Sequence, residues 1–322
     1  MGEKKYKAEQ IYSWIWKKSA ANFDDMPDVK KEFREILKEN CSILDCKIKL
    51  RQISKDGTIK YLVEFKDGEL AETVLMRFDN RSNLSMCVSS QIGCKMNCRF
   101  CATGKNGFRR NLEAYEIASQ ILIAQQDTKL KITNVVFMGQ GEPLDNFNNV
   151  IEAFKIINQN LQISTRRMTV STAGVVPKIK ALTELSAIPT LAISLHSPNH
   201  EKRLQIMPIE KKYSMSELKS ALKEFNQTTK DRITIEYILI KDFNDSIKDA
   251  KELIEYLSDL KCNINIIPYN SIEENIFQKP DKKTIMKFKY LLEQSGKKVT
   301  VRLERGADID AACGQLAGRY NS

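Results

Sequence analysis

From about residue 84 to residue 303 the chain alternates short apolar runs with amphipathic segments, and this alternation restricts the fold more than any other feature. Runs with strand character fall at 84–90, 133–138, 168–172, 190–195, 232–240, 263–268 and 298–303. Segments with helical spacing of apolar residues lie between them at 113–128, 147–161, 177–186, 215–229, 246–260 and 283–295. Strands separated by helices predict parallel strands joined by right-handed crossovers. Six or seven such units fall short of the eight that close a barrel, so an open, partial α/β barrel is expected. Its ligand site should lie at the carboxyl ends of the strands.

The first eighty residues read differently. Residues 7–18 and 28–40 have helical periodicity, separated by a turn with capping residues at Asn22–Pro27. Residues 46–78 alternate with period two, and Asp56-Gly57 and Asp67-Gly68 mark hairpin turns between strands at 47–53, 58–65 and 73–78. A small helical and antiparallel β accessory unit over 1–80 is therefore expected ahead of a barrel over 81–305, with a tail over 306–322. No window approaches about 18 consecutive apolar residues, so no membrane span is expected. The start lacks the apolar core of a signal peptide. A cytoplasmic, monomeric protein is the expectation.

Eight cysteines are present, and three cluster as Cys94-Lys-Met-Asn-Cys98-Arg-Phe-Cys101 in the loop after the first barrel strand. Clustered cysteines in a cytosolic chain of this size point to metal or catalysis rather than to disulfides. A 4Fe–4S cluster has four irons, usually all held by thiolates. Here one loop offers three, and the next cysteine, Cys262, is 161 residues beyond Cys101. One iron is left open to chelate the amino and carboxylate groups of S-adenosylmethionine (SAM). One electron from the cluster then breaks a carbon–sulfur bond and yields a 5′-deoxyadenosyl radical. Phe100 is placed to shield such a cluster. A structural zinc site is the alternative, but zinc takes four ligands, commonly in paired C-x2-C knuckles. No second pair exists, and neither His196 nor His200 is near in sequence.

Gly139-Gln-Gly141-Glu142-Pro143 follows the second barrel strand. Glycines at a strand end let the backbone approach a ligand, and Glu142 could accept a hydrogen bond from the SAM amino group. The net charge is +10, of which +6 lies in residues 41–110, the segment holding the cysteine cluster. A basic rim suits a phosphate-rich partner, and equally a solvated surface. Lys105, Arg109 and Arg110 are the candidate phosphate contacts.

With these residues in view, the sequence resembles the RlmN family of dual-specificity RNA adenine-C2 methyltransferases, within the radical SAM superfamily. The resemblance spans essentially the whole chain. It rests on Ala8-Glu-Gln-Ile-Tyr-Ser-Trp14, Glu72-Thr-Val74, Cys87-Val-Ser-Ser-Gln-Ile-Gly-Cys94, Gly107-Phe-Arg-Arg-Asn-Leu112, Gly141-Glu-Pro-Leu144, Ser194-Leu-His196, Met207-Pro-Ile209 and Asp308-Ile-Asp-Ala-Ala-Cys313-Gly-Gln-Leu316. Relatives that methylate adenine C8, of the Cfr type, share most of these stretches but match less well at Gly-Glu-Pro, Gly107-Phe108 and Arg305-Gly306. Gln140 departs from the family, where Met is common. The segment ahead of the first helix is short, an expected cost to RNA docking rather than to chemistry.

The resemblance implies a partial (β/α)6 radical SAM barrel and methylation of carbon 2 of adenine in 23S rRNA and tRNA. It implies one 4Fe–4S cluster on Cys94, Cys98 and Cys101, two SAM molecules per turnover and an electron donor such as flavodoxin. Cys313 would be methylated by one SAM. The radical from a second SAM would then take a hydrogen from that S-methyl group, and the resulting methylene would add to C2. Cys87 would release the product by forming a transient disulfide with Cys313, and Glu72 would be the proton acceptor. Gly141, Glu142, Ser171, Ser194, Leu195, His196 and Asn270 match the family's SAM contacts. From the residues alone, Cys87 and Cys313 read equally as buried structural cysteines and His196 as a core histidine. Two further enzyme readings stay open: C8 methylation, and glycyl-radical activation of another protein. A zinc-stapled RNA-binding module is the non-enzymatic one.

Overall fold

The computed structural model describes residues 4–77, 83–272 and 276–317. The expected boundary at 80/81, the last residue of the 73–78 strand and residues 318–322 of the tail lie outside the described residues.

The chain opens with α1 (Lys5–Trp16) and α2 (Lys31–Asn40), then β1 (Cys46–Ile53), β2 (Ile59–Phe65) and β3 (Leu70–Arg77). The barrel follows: β4 (Leu84–Cys87), β5 (Gln91–Gly93), α3 (Ala102–Lys105), β6 (Phe108–Asn111), α4 (Ala114–Thr128), β7 (Asn134–Phe137) and α5 (Phe147–Gln159). Next come β8 (Met168–Thr172), α6 (Val176–Leu182), β9 (Thr190–Ser194), α7 (His200–Ile206), α8 (Met215–Thr229) and β10 (Ile233–Leu239). The chain then forms α9 (Ile247–Leu257), β11 (Cys262–Pro268), α10 (Lys282–Glu293) and β12 (Lys298–Val301).

Ten strands form one sheet in the order β1-β2-β3-β4-β7-β8-β9-β10-β11-β12. From β4 to β12 every neighbour is parallel. The antiparallel meander is not a detached unit: β3 pairs with β4 through Val74↔Cys87 to Arg77↔Leu84. The N-terminal strands thus extend the barrel wall. One cavity touches Met76, Ser85, Thr169, Thr234, Asn265 and Thr300, from six strands, so the sheet curls around a lumen. The helices cover its outer face, where a single apolar core runs from Tyr61 through Ile121, Phe137 and Phe154 to Leu292.

Ser214 and Glu217 cap α8 reciprocally, and Ser246 and Asp249 do the same for α9. The N-terminal piece is tied to α4 by polar contacts. Tyr61 Oη donates to Asp127 Oδ2 at 2.8 Å, Arg51 Nε reaches the same oxygen at 2.7 Å, and Gln126 Nε2 donates to Ala20 O at 3.0 Å.

Arg203, on the short α7, is fully buried. Its Nη1 meets Glu210 Oε2 at 2.6 Å, Nη2 donates to Ala173 O at 2.6 Å and Nε to Leu195 O at 3.1 Å. Those carbonyls belong to the loops after β8 and β9, so one guanidinium clamps two sides of the barrel mouth. Glu210 also accepts from Met215 N at 3.0 Å. Removing the guanidinium would leave the buried Glu210 carboxylate to Met215 N and to the exposed His200 ring, whose Nδ1 lies 2.8 Å from its Oε1, at a cost of about 3–5 kcal/mol. Arg203→Met should lower stability by that amount in urea denaturation of the apo chain, and adding Glu210→Met should recover part of it. A loss below about 1 kcal/mol in the single variant would contradict the clamp.

Candidate active site

The site is built on residues 88–91, which follow β4. Ser89, Ser90 and Gln91 are polar yet buried, and each satisfies a specific neighbour, as burial requires. Ser89 N donates to Gln120 Oε1 at 2.8 Å, and Gln120 Nε2 returns a bond to Ser89 O at 2.9 Å. Gln91 Oε1 accepts from Glu142 N at 2.8 Å. Asn146 Nδ2 bridges Ser90 O at 2.8 Å and Leu112 O at 2.7 Å. Gly141 has φ +100°, and a Cβ there would stand 2.6 Å from Gln91 Cβ. The glycine is thus required by close approach to the chain's own strand end, not only by a ligand.

The cysteine loop is closed by a hairpin the sequence pattern did not predict. β5 pairs with β6, and Cys94 N donates to Gly107 O at 2.8 Å. A Cβ on Gly93 would lie 1.9 Å from Gly107 O, so only glycine fits there. Cys94, Cys98 and Cys101 face one cavity, which also touches Cys87, Gly141, Glu142, Ser171, Ser194, His196 and Cys313. These residues come from the carboxyl ends of β4, β7, β8 and β9 and from the tail.

The donor set fits a cluster. Burial first, then Cys101 and Cys94, push the Cys98 thiol well above its ordinary range, and burial pushes Cys94 up to about 12. Thiols at Cys94 and Cys98 that burial keeps protonated are matched to a polycationic core that draws their protons off. Met96 N donates to Cys94 Sγ at 3.5 Å, a contact that tunes cluster thiolates. Among the described residues no three His, Cys, Asp or Glu are arranged to hold a single metal ion. A cluster instead spreads its thiolates over separate irons.

His196 sits at φ +60°, in the left-handed region. Its Nδ1 accepts from Ile238 N at 3.0 Å, and its ring meets Phe100 edge-on with centroids 4.7 Å apart. Glu142 Oε1 accepts from Leu144 N at 3.0 Å and Oε2 from Ala173 N at 2.7 Å, while burial raises its carboxyl to about 7. Four lone-pair directions leave that carboxylate room for a further donor.

Three expected site residues lie away from this cavity's lining. Leu195 packs its side chain into the apolar core. Asn270 Nδ2 donates to Cys313 O at 3.1 Å and borders the lumen cavity instead. Glu72 stands on the face of β3 that carries Val74 and Met76, which do line the site. Its Oε1 meets Lys60 Nζ at 2.9 Å, and its backbone N donates to Gln140 Oε1 at 3.0 Å. Of the basic candidates, Arg109 pairs with Glu69 at 2.7 Å. Arg110 forks onto Glu116 at 2.7 and 2.9 Å and also meets Asp67.

Sequence reasoning missed Arg203, Arg302, Glu236 and Gln91. Gln91 lies inside a quoted motif, and its signal was a polar residue in a buried run.

Cys313 has part of its surface open, and it borders both the cysteine cavity and the lumen cavity. Burial raises its thiol, with Arg302 acting in the opposite direction. Burial likewise pushes Cys87 up to about 12.

An open α/β barrel with a three-cysteine loop at the carboxyl ends of its strands defines a radical SAM enzyme, and the model described as "Radical SAM superfamily" matches residues 88–257. A second model, "Ribosomal RNA large subunit methyltransferase N-terminal domain", matches residues 1–43. Relatives named "Probable dual-specificity RNA methyltransferase RlmN" are 46% identical in Clostridium novyi (strain NT) and 45% in Clostridioides difficile (strain 630). Each match covers 99% of this chain and 93% of the relative. A crystal structure of a radical SAM methyltransferase from Sphaerobacter thermophilus superposes with a TM-score of 0.94 at 36% identity, covering 98% of this chain and 93% of that one. The chain belongs to the RlmN family of radical SAM RNA methyltransferases. The family implies a 4Fe–4S cluster and SAM. No helix among the described residues is long and apolar enough to cross a membrane.

Burial depresses the His196 imidazole to about 3, well below the usual 6.5. With Nδ1 accepting, the neutral ring must carry its proton on Nε2. Nitrogen-15 NMR should therefore show the Nε2–H tautomer with no titration between pH 5 and 8. A titration midpoint near 6.5 would contradict this. Because the folded pKa lies below the unfolded one, His196 should cost stability as pH falls below about 6.5 toward 3.

Proposed function

We propose that the protein methylates carbon 2 of adenine in 23S rRNA and tRNA through an S-methyl group carried on Cys313. The observation that supports this reading is the position of Cys313, which borders both the cysteine cavity and the lumen. A thiol that must meet a SAM methyl and later a base needs such a double exposure. Adenine C2 is an electron-poor carbon that does not displace a methyl group directly, so the methyl is first loaded on sulfur.

Cys94, Cys98 and Cys101 would hold the 4Fe–4S cluster, which when bound would supply the electron for reductive cleavage of SAM to a 5′-deoxyadenosyl radical. Cys313 takes its methyl from a first SAM by displacement, as a thiolate. Its raised pKa means that a proton must leave first, and the Arg302 charge favours that loss. The S-methyl carbon of Cys313 would give a hydrogen atom to the radical from a second SAM and bond to C2, and the resulting radical adduct would give up one electron to the oxidised cluster. Glu72 accepts the proton from C2. Cys87, in the same cavity as Cys313, would attack its sulfur as a thiolate; the sulfur–methylene bond breaks, the methylene carbon takes up a proton to become the methyl group, and the Cys87–Cys313 disulfide that closes is reopened by a thiol reductant. Gly141, Glu142, Ser171, Ser194, Leu195, His196 and Asn270 position SAM, and a flavodoxin-class donor resupplies electrons.

Intact mass of the anaerobically reconstituted protein should rise by one methyl group on incubation with SAM, and the gain should vanish in Cys313→Ala. RNA from turnover should contain 2-methyladenosine. Product that is solely 8-methyladenosine, or turnover that survives Cys313→Ala, would overturn the reading.

A further inference from the structure

The lumen cavity, of about 840 Å³, is separated from the cysteine cavity by a wall that includes Cys313, Glu236 and Arg302. Glu236 is 5% exposed, on the inner face of β10. Asn265 Nδ2 donates to its Oε2 at 2.8 Å, and Thr300 Oγ1 holds Asn265 Oδ1 at 2.9 Å. Among the described residues, Glu236 Oε1 has no hydrogen-bond partner. The relay thus fixes one carboxylate oxygen and leaves the other facing the cavities. Arg302 follows β12. Its charge acts on Glu236, Cys313 and Cys87, and among the described residues its guanidinium makes no direct hydrogen bond. Glu236 and Arg302 both line the two cavities beside Cys313, so an acceptor and a donor stand open to a ligand next to the reactive thiol.

Adenine's Watson–Crick edge presents an acceptor, N1, beside a donor, the 6-amino group. Carbon 2 adjoins N1, whereas C8 lies at the far end of the base. We propose that the lumen cavity is the nucleobase pocket, where Arg302 donates to N1 and Glu236 accepts from the 6-amino group, so that C2 rather than C8 meets Cys313. This rests on the adenine reading above and adds how the atom is chosen. Guanine presents N1–H to the guanidinium and O6 to the carboxylate, a mismatch at both contacts. A purine pocket of this kind takes a base turned out of its stack, and the polar walls at Ser85, Thr169 and Thr234 suit a wet lumen that a base enters and leaves.

The test is a cycle of RNA binding to the cluster-loaded protein without SAM, using a stem-loop whose target adenosine is intact, replaced by purine riboside (no 6-amino group) or replaced by 1-deazaadenosine (no N1). The wild type should prefer adenosine over each analogue by about ten- to hundredfold. Glu236→Ala should erase the preference over purine riboside alone, and Arg302→Ala the preference over 1-deazaadenosine. A purely structural role would weaken all three RNAs equally and would overturn the pocket, as would preferences that survive both substitutions. If Glu236→Ala does not load its cluster, the Arg302→Ala arm decides by itself. Methylated product from the wild type is analysed separately, so a failed pocket with 2-methyladenosine formed is distinct from a failed C2 reading.

Discussion

A tail with no strand or α-helix among its described residues is held across the barrel mouth by hydrogen bonds, and the placement of Cys313 depends on them. Gly306 N donates to Asp56 Oδ2 at 3.0 Å, and Asp308 accepts from Ser54 Oγ at 2.6 Å and Lys55 N at 3.1 Å. Past Cys313, Ala102 N donates to Gly314 O at 2.7 Å and Thr103 Oγ1 to Leu316 O at 2.7 Å. Asn270 holds the Cys313 carbonyl itself. The anchors come from three places: the first hairpin turn, the helix after the cysteine loop and the loop after β11. Each bond contributes only about 1 kcal/mol, so the tail is held as a set, and Gly314, at φ +88°, makes the turn that follows Cys313.

This arrangement explains why the meander must continue the barrel sheet. The Asp56-Gly57 turn reaches the tail only because β3 is hydrogen-bonded to β4, which fixes β1 and β2 beyond it. The same β3 face carries Glu72, Val74 and Met76. A detached N-terminal unit would leave the tail with half its anchors and the site without one wall. Asp67, in the second hairpin turn, meets Arg110 beside β6. The two turns therefore brace the tail and the cysteine loop in parallel. Arg109 and Arg110 are engaged in this bracing, so the local positive excess cannot be read directly as phosphate contacts.

The strand–helix alternation was legible because each parallel strand is a run of apolar residues and each helix shows one apolar face, both local properties. The three cysteines were legible because their spacing is local too. The β5–β6 hairpin was not: its strands have three and four residues, and Gly93-to-Gly107 closure is set by backbone approach rather than by side-chain period. Arg203 and Glu210 were not, since each reads as a surface charge until the fold buries both. Glu236 and Arg302 escaped for another reason. They are charged residues at or next to apolar strands, where a period-two reading assigns them to solvent, while a curled sheet gives its inner face a lumen.

The lumen also resolves a conflict in the electrostatics. Without ligands the cysteine cavity is strongly biased toward neutral groups: Cys87, Cys94 and Cys98 hold their protons, and the raised Glu142 carboxyl titrates near neutrality. Such a cavity favours cations, because each cation ionises a group that burial alone would keep neutral. The cluster core and the SAM ammonium and sulfonium that the family implies are cations of this kind. A neutral base in the adjoining lumen, as proposed above, would have no charge to offer and would be recognised by direction. In the pocket proposed above, the Glu236 carboxyl group, oriented by Asn265, and the Arg302 guanidinium would supply an acceptor and a donor of defined orientation. Cys313, Glu236 and Arg302 border both compartments, so the wall between them carries a thiol, a carboxyl group and a guanidinium.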